Sequence, residues 1–131
     1  MDRPPATTPF DAWFTRDPAE LVLLRRAVQE WLTDDCALNP EVSRDVVLAV
    51  HEAVQDCLNE PMPGRDDGVA VHAEYDGDEV AVMFVASAHA QQPPLGDPGR
   101  RSTRLVLHLV DEAEVEARDD TAQVCLRRYT R

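Results

Sequence analysis

Asp45-Val-Val-Leu-Ala-Val-His-Glu-Ala-Val-Gln-Asp-Cys-Leu-Asn-Glu60 is the stretch on which the reading of this chain turns. Val46, Val47, Val50, Ala53, Val54, Cys57 and Leu58 recur at helical spacing and form one apolar face. Along its flank run Glu52, Asp56 and Asn59, spaced i, i+4, i+7, which makes a polar stripe beside a buried helix. Two carboxylates four residues apart repel by about 0.2–0.5 kcal/mol unless something compensates. The stripe is therefore either a solvated flank or a place prepared for a cation.

Working outward, Asn39-Pro40-Glu41 starts this helix and Pro61-Met62-Pro63-Gly64 stops it. Upstream, Asp17-Pro18 with Glu20 supplies a second helix start, Asp as N-cap and Pro in the first turn. Leu21, Leu24, Ala27, Val28, Trp31 and Leu32 carry that helix to about Thr33. Residues 1–9, with Pro4, Pro5 and Pro9, read as a flexible lead-in, and Phe10 to Thr15 as a short edge strand. Trp13, Phe14 and Trp31 are expected to pack the first helix against a sheet. Exposure of Trp13 and Phe14 would instead mark an association surface.

Downstream, Val69, Val71 and Ala73 alternate with polar residues, Asp76-Gly77 gives a turn, and Val80 to Ala86 is apolar throughout. A strand apolar on both faces is expected to be central and at least partly covered by helices. A loop follows through Gly99, then a third helix over Arg101 to Glu112 with Leu105, Leu109 and Val110 inward. Val115 and Ala117, then Asp119-Asp120, lead into Ala122 to Tyr129 as a second hairpin. The order predicts an α+β fold, a two-layer α/β sandwich whose mostly antiparallel sheet is covered by helices, with residues 10–131 as a single domain.

Composition narrows the function classes. Acidic residues outnumber basic ones 25 to 13, a formal net charge of −12, and every basic residue is Arg. That balance argues against nucleic acid, which needs a basic footprint, and suits a basic protein partner or simply a soluble surface. The absence of Lys and Ile is the mark of a GC-rich coding sequence. No apolar run suggests a membrane span and no signal peptide is visible. Cys36, Cys57 and Cys125, odd in number and scattered, are expected to be reduced thiols of a cytoplasmic protein. His51, His72, His89 and His108 share no ligand spacing and read as surface or packing residues.

The helix Leu48-Ala-Val-His-Glu-Ala-Val-Gln-Asp-Cys-Leu58, the hairpin after it and the closing Leu105-Val-Leu-His-Leu-Val-Asp111 segment resemble the histidine-kinase-like ATPase fold (the GHKL superfamily). More narrowly, they resemble the small bacterial anti-sigma-factor serine kinases over about Phe10 to Arg131. In that family the second helix carries Glu-x-x-x-Asn, the Glu as base and the Asn as ligand for magnesium on the nucleotide. Here Glu52 holds the first position and Asp56 the second. The family's Asp-x-Gly-x-Gly, which reads adenine, corresponds to Ala86-Ser87-Ala88-His89-Ala90. The adenine-reading carboxylate is missing, a loss of about 1–3 kcal/mol in a base pocket. Ala88 and Ala90 add a Cβ where glycine let the backbone approach. The phosphate-cradling Gly-x-Gly is replaced by Arg100-Arg101-Ser102-Thr103, although Arg100, Arg101 and Arg104 remain as candidates for an anion or a partner.

The resemblance thus implies a degenerate nucleotide site, a pseudokinase, and a regulatory protein-binding module rather than an enzyme. Its partner would be a sigma factor or an anti-sigma antagonist, bound by a homodimer and without a cofactor. One alternative is an active serine kinase holding Mg-ATP, with Glu52 catalytic and Asp56 on the metal. A second is a sensor for another small ligand in the pocket vacated at Ala86, Ala88 and Ala90.

Overall fold

The computed structural model describes residues 7–15, 17–58, 68–87, 95, 97, 99–118 and 121–130. Eight elements follow in order: β1 (Phe10–Thr15), α1 (Pro18–Glu30), α2 (Pro40–Leu58), β2 (Gly68–Tyr75), β3 (Glu79–Ser87), α3 (Arg101–Leu109), β4 (Glu112–Arg118) and β5 (Thr121–Tyr129). The strands make one antiparallel sheet in the order β1-β2-β3-β5-β4, with β1 and β4 at its edges. The α+β class and the helix-on-sheet layering are as expected.

Local signals explain where the helices begin. Asp17 accepts from the backbone N–H of Ala19 at 2.9 Å, and Asn39 accepts from that of Glu41 at 2.8 Å. Each satisfies a donor that the first helical turn leaves without a partner. α1 runs on into a π-helical turn over Trp31–Asp35, in which the N–H of Cys36 reaches the carbonyl of Trp31 at 3.0 Å. The wider turn leaves Trp31 buried, its Nε1 donating to the carbonyl of Thr8 at 2.8 Å and its ring 6.1 Å from that of Phe10. The end of α1 is thereby fastened to the start of β1.

The core lies between the helices and one face of the sheet. Val69, Val71 and Ala73 of β2, Val80, Val82, Phe84 and Ala86 of β3, and Ala122, Val124 and Leu126 of β5 are all buried there. All of them but Ala122 meet Leu24 and Val28 of α1, Val46, Val50 and Val54 of α2, and Val106 of α3 in one cluster. The register Val71↔Phe84↔Val124 puts these side chains in rows across the sheet, as the two-residue strand period requires.

β3 is central, as expected, and partly covered: among the described residues helices pack on one of its apolar faces, and Val85 on the other is 38% exposed. Two expectations need correction. α3 stops at Leu109 instead of continuing to Glu112, because Val110 turns extended (φ −121°, ψ 161°) and the N–H of Asp111 bonds the carbonyl of Arg127. Sheet pairing there outcompetes one more helical turn. Trp13 and Phe14 part company as neighbours on a strand must. Phe14, opposite Val69, packs against the core, whereas Trp13, opposite Ala70, lies 59% exposed on the open face. Its ring crosses Gly68, where a Cβ would overlap the indole and sit 2.6 Å from the carbonyl of Phe14.

Candidate functional site

The flank of α2 separates into two environments. Glu52 is half-buried, while Asp56, one turn on, is 5% exposed and its side chain 1%. Asp56 is thus no solvated flank, which corrects the simpler of the two readings of the stripe. Burying a carboxylate in this way is costly unless hydrogen bonds and an opposite charge accompany it.

Both oxygens of Asp56 are engaged by the chain itself. Oδ2 accepts from the N–H of Leu95 at 2.9 Å. Oδ1 accepts from the hydroxyl of Ser102 at 3.3 Å and lies 3.1 Å from Nη1 of Arg100. Leu95 takes φ +59°, a left-handed conformation uncommon for a residue with a Cβ, and in it presents its N–H to the carboxylate. Arg100 is the N-cap residue of α3 but makes no capping bond with its side chain, which turns to Asp56 instead. The carboxylate therefore sits at the start of α3, where the helix dipole adds to the attraction.

The structure accordingly brings Asp56 and Arg100 together, and not the rest of the arginine cluster. Arg101 and Arg104 are exposed and form no ion pair among the described residues. Ala86 is buried on the helix-facing side of β3. Ala88 and Ala90 lie outside the described residues, as does Asn59. Sequence reasoning missed Leu95 and Ser102 as partners of Asp56. Ser102, a hydroxyl in the first turn of α3, was the one available signal.

Other titratable groups are set by their surroundings. Burial, with Asp35 adding to it, pushes the Cys36 thiol up to about 11, and burial also raises Cys125. Cys36 lacks the electropositive setting of a reactive thiol, and at Cys125 the charge of Arg127 opposes burial without overcoming it. Desolvation foremost, then the charge of Arg25, lowers the imidazole of His51. Among the described residues no group of three His, Cys, Asp or Glu is placed to hold a metal ion, and no helix is long and apolar enough to cross a membrane.

On the open face His72 bridges two carboxylates, Nδ1 to Asp11 at 2.7 Å and Nε2 to Glu74 at 3.0 Å. Donating to both requires the imidazolium, and the bond to Asp11, followed by that to Glu74, raises the pKa. A raised folded value means the stabilisation is complete below the ordinary imidazole range and is lost as pH rises through the folded value. His72→Gln should therefore lower Tm most in mildly acidic solution, and the difference from the parent chain should shrink as pH rises. Thermal melts across that range measure it, and a difference that grew with pH would sink the assignment.

No protein-family model matches the chain, and no curated protein sequence does. Solved structures do, and one is the crystal structure of the RsbU and RsbW domains of Rv1364c from Mycobacterium tuberculosis. It superposes with a TM-score of 0.73 at 18% identity, over 95% of this chain and 33% of that one. The chain thus spans about a third of the length of that crystallised chain. The likeness shows a shared fold, the α+β arrangement of helices over one antiparallel sheet that the sequence predicted.

Proposed function

We propose that the protein is a regulatory, anti-sigma-like binding module whose nucleotide site is closed, and that it acts by contact with a sigma factor or an anti-sigma antagonist in the cytoplasm. The observation that carries this reading is the capture of Asp56 by Arg100, Leu95 and Ser102. In the family that the sequence resembles, the side chain at this position of the helix faces a magnesium ion. Magnesium demands near-octahedral oxygen ligands and would have to displace a guanidinium already paired with the carboxylate. The residues present do not suit that ion. The loss of the adenine-reading carboxylate and the alanines at 88 and 90 support the same conclusion from sequence. A homodimer and the absence of any cofactor complete the proposal.

A thermal-shift series with ATP and magnesium tests it. Ligand at a thousandfold excess over Kd stabilises a protein by about 4 kcal/mol, which no melt would miss. The expected result is an unchanged Tm with millimolar Mg-ATP. A clear upward shift would favour the kinase reading, with Glu52 as base. Purification of the tagged chain from its native cell, with a sigma factor or an antagonist bound in stoichiometric amount, tests the partner.

A further inference from the structure

We infer that the groove between α1 and α2 is a docking site for an acidic amphipathic helix of a partner protein, which names the contact chemistry of the binding module proposed above and rests on that reading. The groove measures about 690 Å³ and lies on the outer side of the helices, away from Asp56. Val47, Leu48 and His51 of α2 contribute to its lining, together with Arg25 and Arg26 of α1 and Arg44 of α2. Leu48 is 38% exposed there, and Val22 and Leu23, one turn before the arginines on α1, are large exposed apolar side chains as well. Apolar area concentrated in this way on an otherwise charged surface marks an association site.

The charge of the rim identifies the occupant. In a chain of net charge −12, three arginines converge on one groove, and none of the three forms an ion pair among the described residues. Glu30 is the one acidic residue lining it among the described residues. An arginine left without a carboxylate beside an apolar floor is suited to take one from a partner in a bidentate hydrogen bond. Nδ1 of His51 is buried and finds no hydrogen-bond partner among the described residues, so the floor also offers an unused polar atom. Arg44 to His51 covers two helical turns, about 10 Å, which matches the i, i+3, i+4, i+7 anchors of a helix laid in a groove. An acidic ligand is repelled by the protein as a whole, so binding here requires the local arginines and apolar floor to act together.

The test uses a fluorescein-labelled helical peptide of about 14 residues with Leu at the anchor spacing and Glu on both flanks. Fluorescence anisotropy is read with the intact chain at low and at physiological salt. The expected result is saturable binding that weakens tenfold or more in Arg25→Glu/Arg44→Glu, in Leu48→Asp, and when the peptide's Glu residues are replaced by Gln. Circular dichroism melts confirm that these surface variants stay folded. Absence of binding, or equal binding to parent and variants, overturns the proposal. So does arginine-dependent binding of phosphatidylglycerol vesicles without peptide binding, which would make the groove a membrane contact. Mg-ATP binding is read separately, so a failed groove and a failed nucleotide reading are told apart.

Discussion

Phe84→Ala is expected to remove about 3–5 kcal/mol of stability, the range for deleting a fully buried aromatic ring. Phe84 is 0% exposed in the middle of β3, paired with Val71 on one side and Val124 on the other, and turned toward the helices. A domain of this size holds roughly 5–15 kcal/mol in total, so the variant sits near the edge of folding. Urea denaturation measures the loss as a fall in midpoint at unchanged slope. Val85→Ala is the internal control, one residue along the same strand but on the open face, and should cost less than about 1 kcal/mol. Equal losses at the two positions would contradict the two-faced description of β3.

Arg100→Ala carries the second large effect and speaks to function. It leaves the Asp56 carboxylate buried with two neutral donors and no cation. Removing one partner of a fully buried pair costs about 3–5 kcal/mol, but Arg100 is 47% exposed, so about 1–3 kcal/mol is expected. Asp56→Asn also places an amide donor where Arg100 and Ser102 already donate, and should destabilise as well. The double variant Asp56→Asn/Arg100→Ala should lose less than the sum of the two, since each single change strands the other's partner. Strict additivity in that cycle would mean the pair is decorative and the closure of the site lies elsewhere.

How much of this was legible follows from the distance over which each feature is decided. The helix starts at Asp17 and Asn39 were plain because a cap and its amide are two residues apart. The hairpins were plain because Asp76-Gly77 and strand alternation are local too. The burial of Asp56 was not, because it is decided by Leu95 and Ser102, 39 and 46 residues away, and by Arg100, which follows a proline- and glycine-rich loop. Sequence showed two carboxylates on one stripe, and only the fold showed that the required cation came from the chain itself. The division between Trp13 and Phe14 was implicit in strand alternation once β1 was assigned. The α1–α2 groove left no trace, since Arg25, Arg26 and Arg44 each sit on an ordinary polar helix face and acquire meaning only when two helices bring them together.

The edge strand β4 carries a consequence for assembly. Glu112, Glu114 and Glu116 alternate along its open face, exposed, at the border of the sheet, where among the described residues no further strand pairs with it. An unpaired edge is a template on which another chain's strand can add by main-chain hydrogen bonds. A second copy joining β4 to β4 would set six carboxylates side by side, spaced by about 7 Å within each strand and so within one screening length at physiological salt. Growth of the sheet by self-pairing is discouraged there by charge alone. A strand rich in arginine or lysine meets no such barrier, and concentrated salt weakens the barrier for every comer.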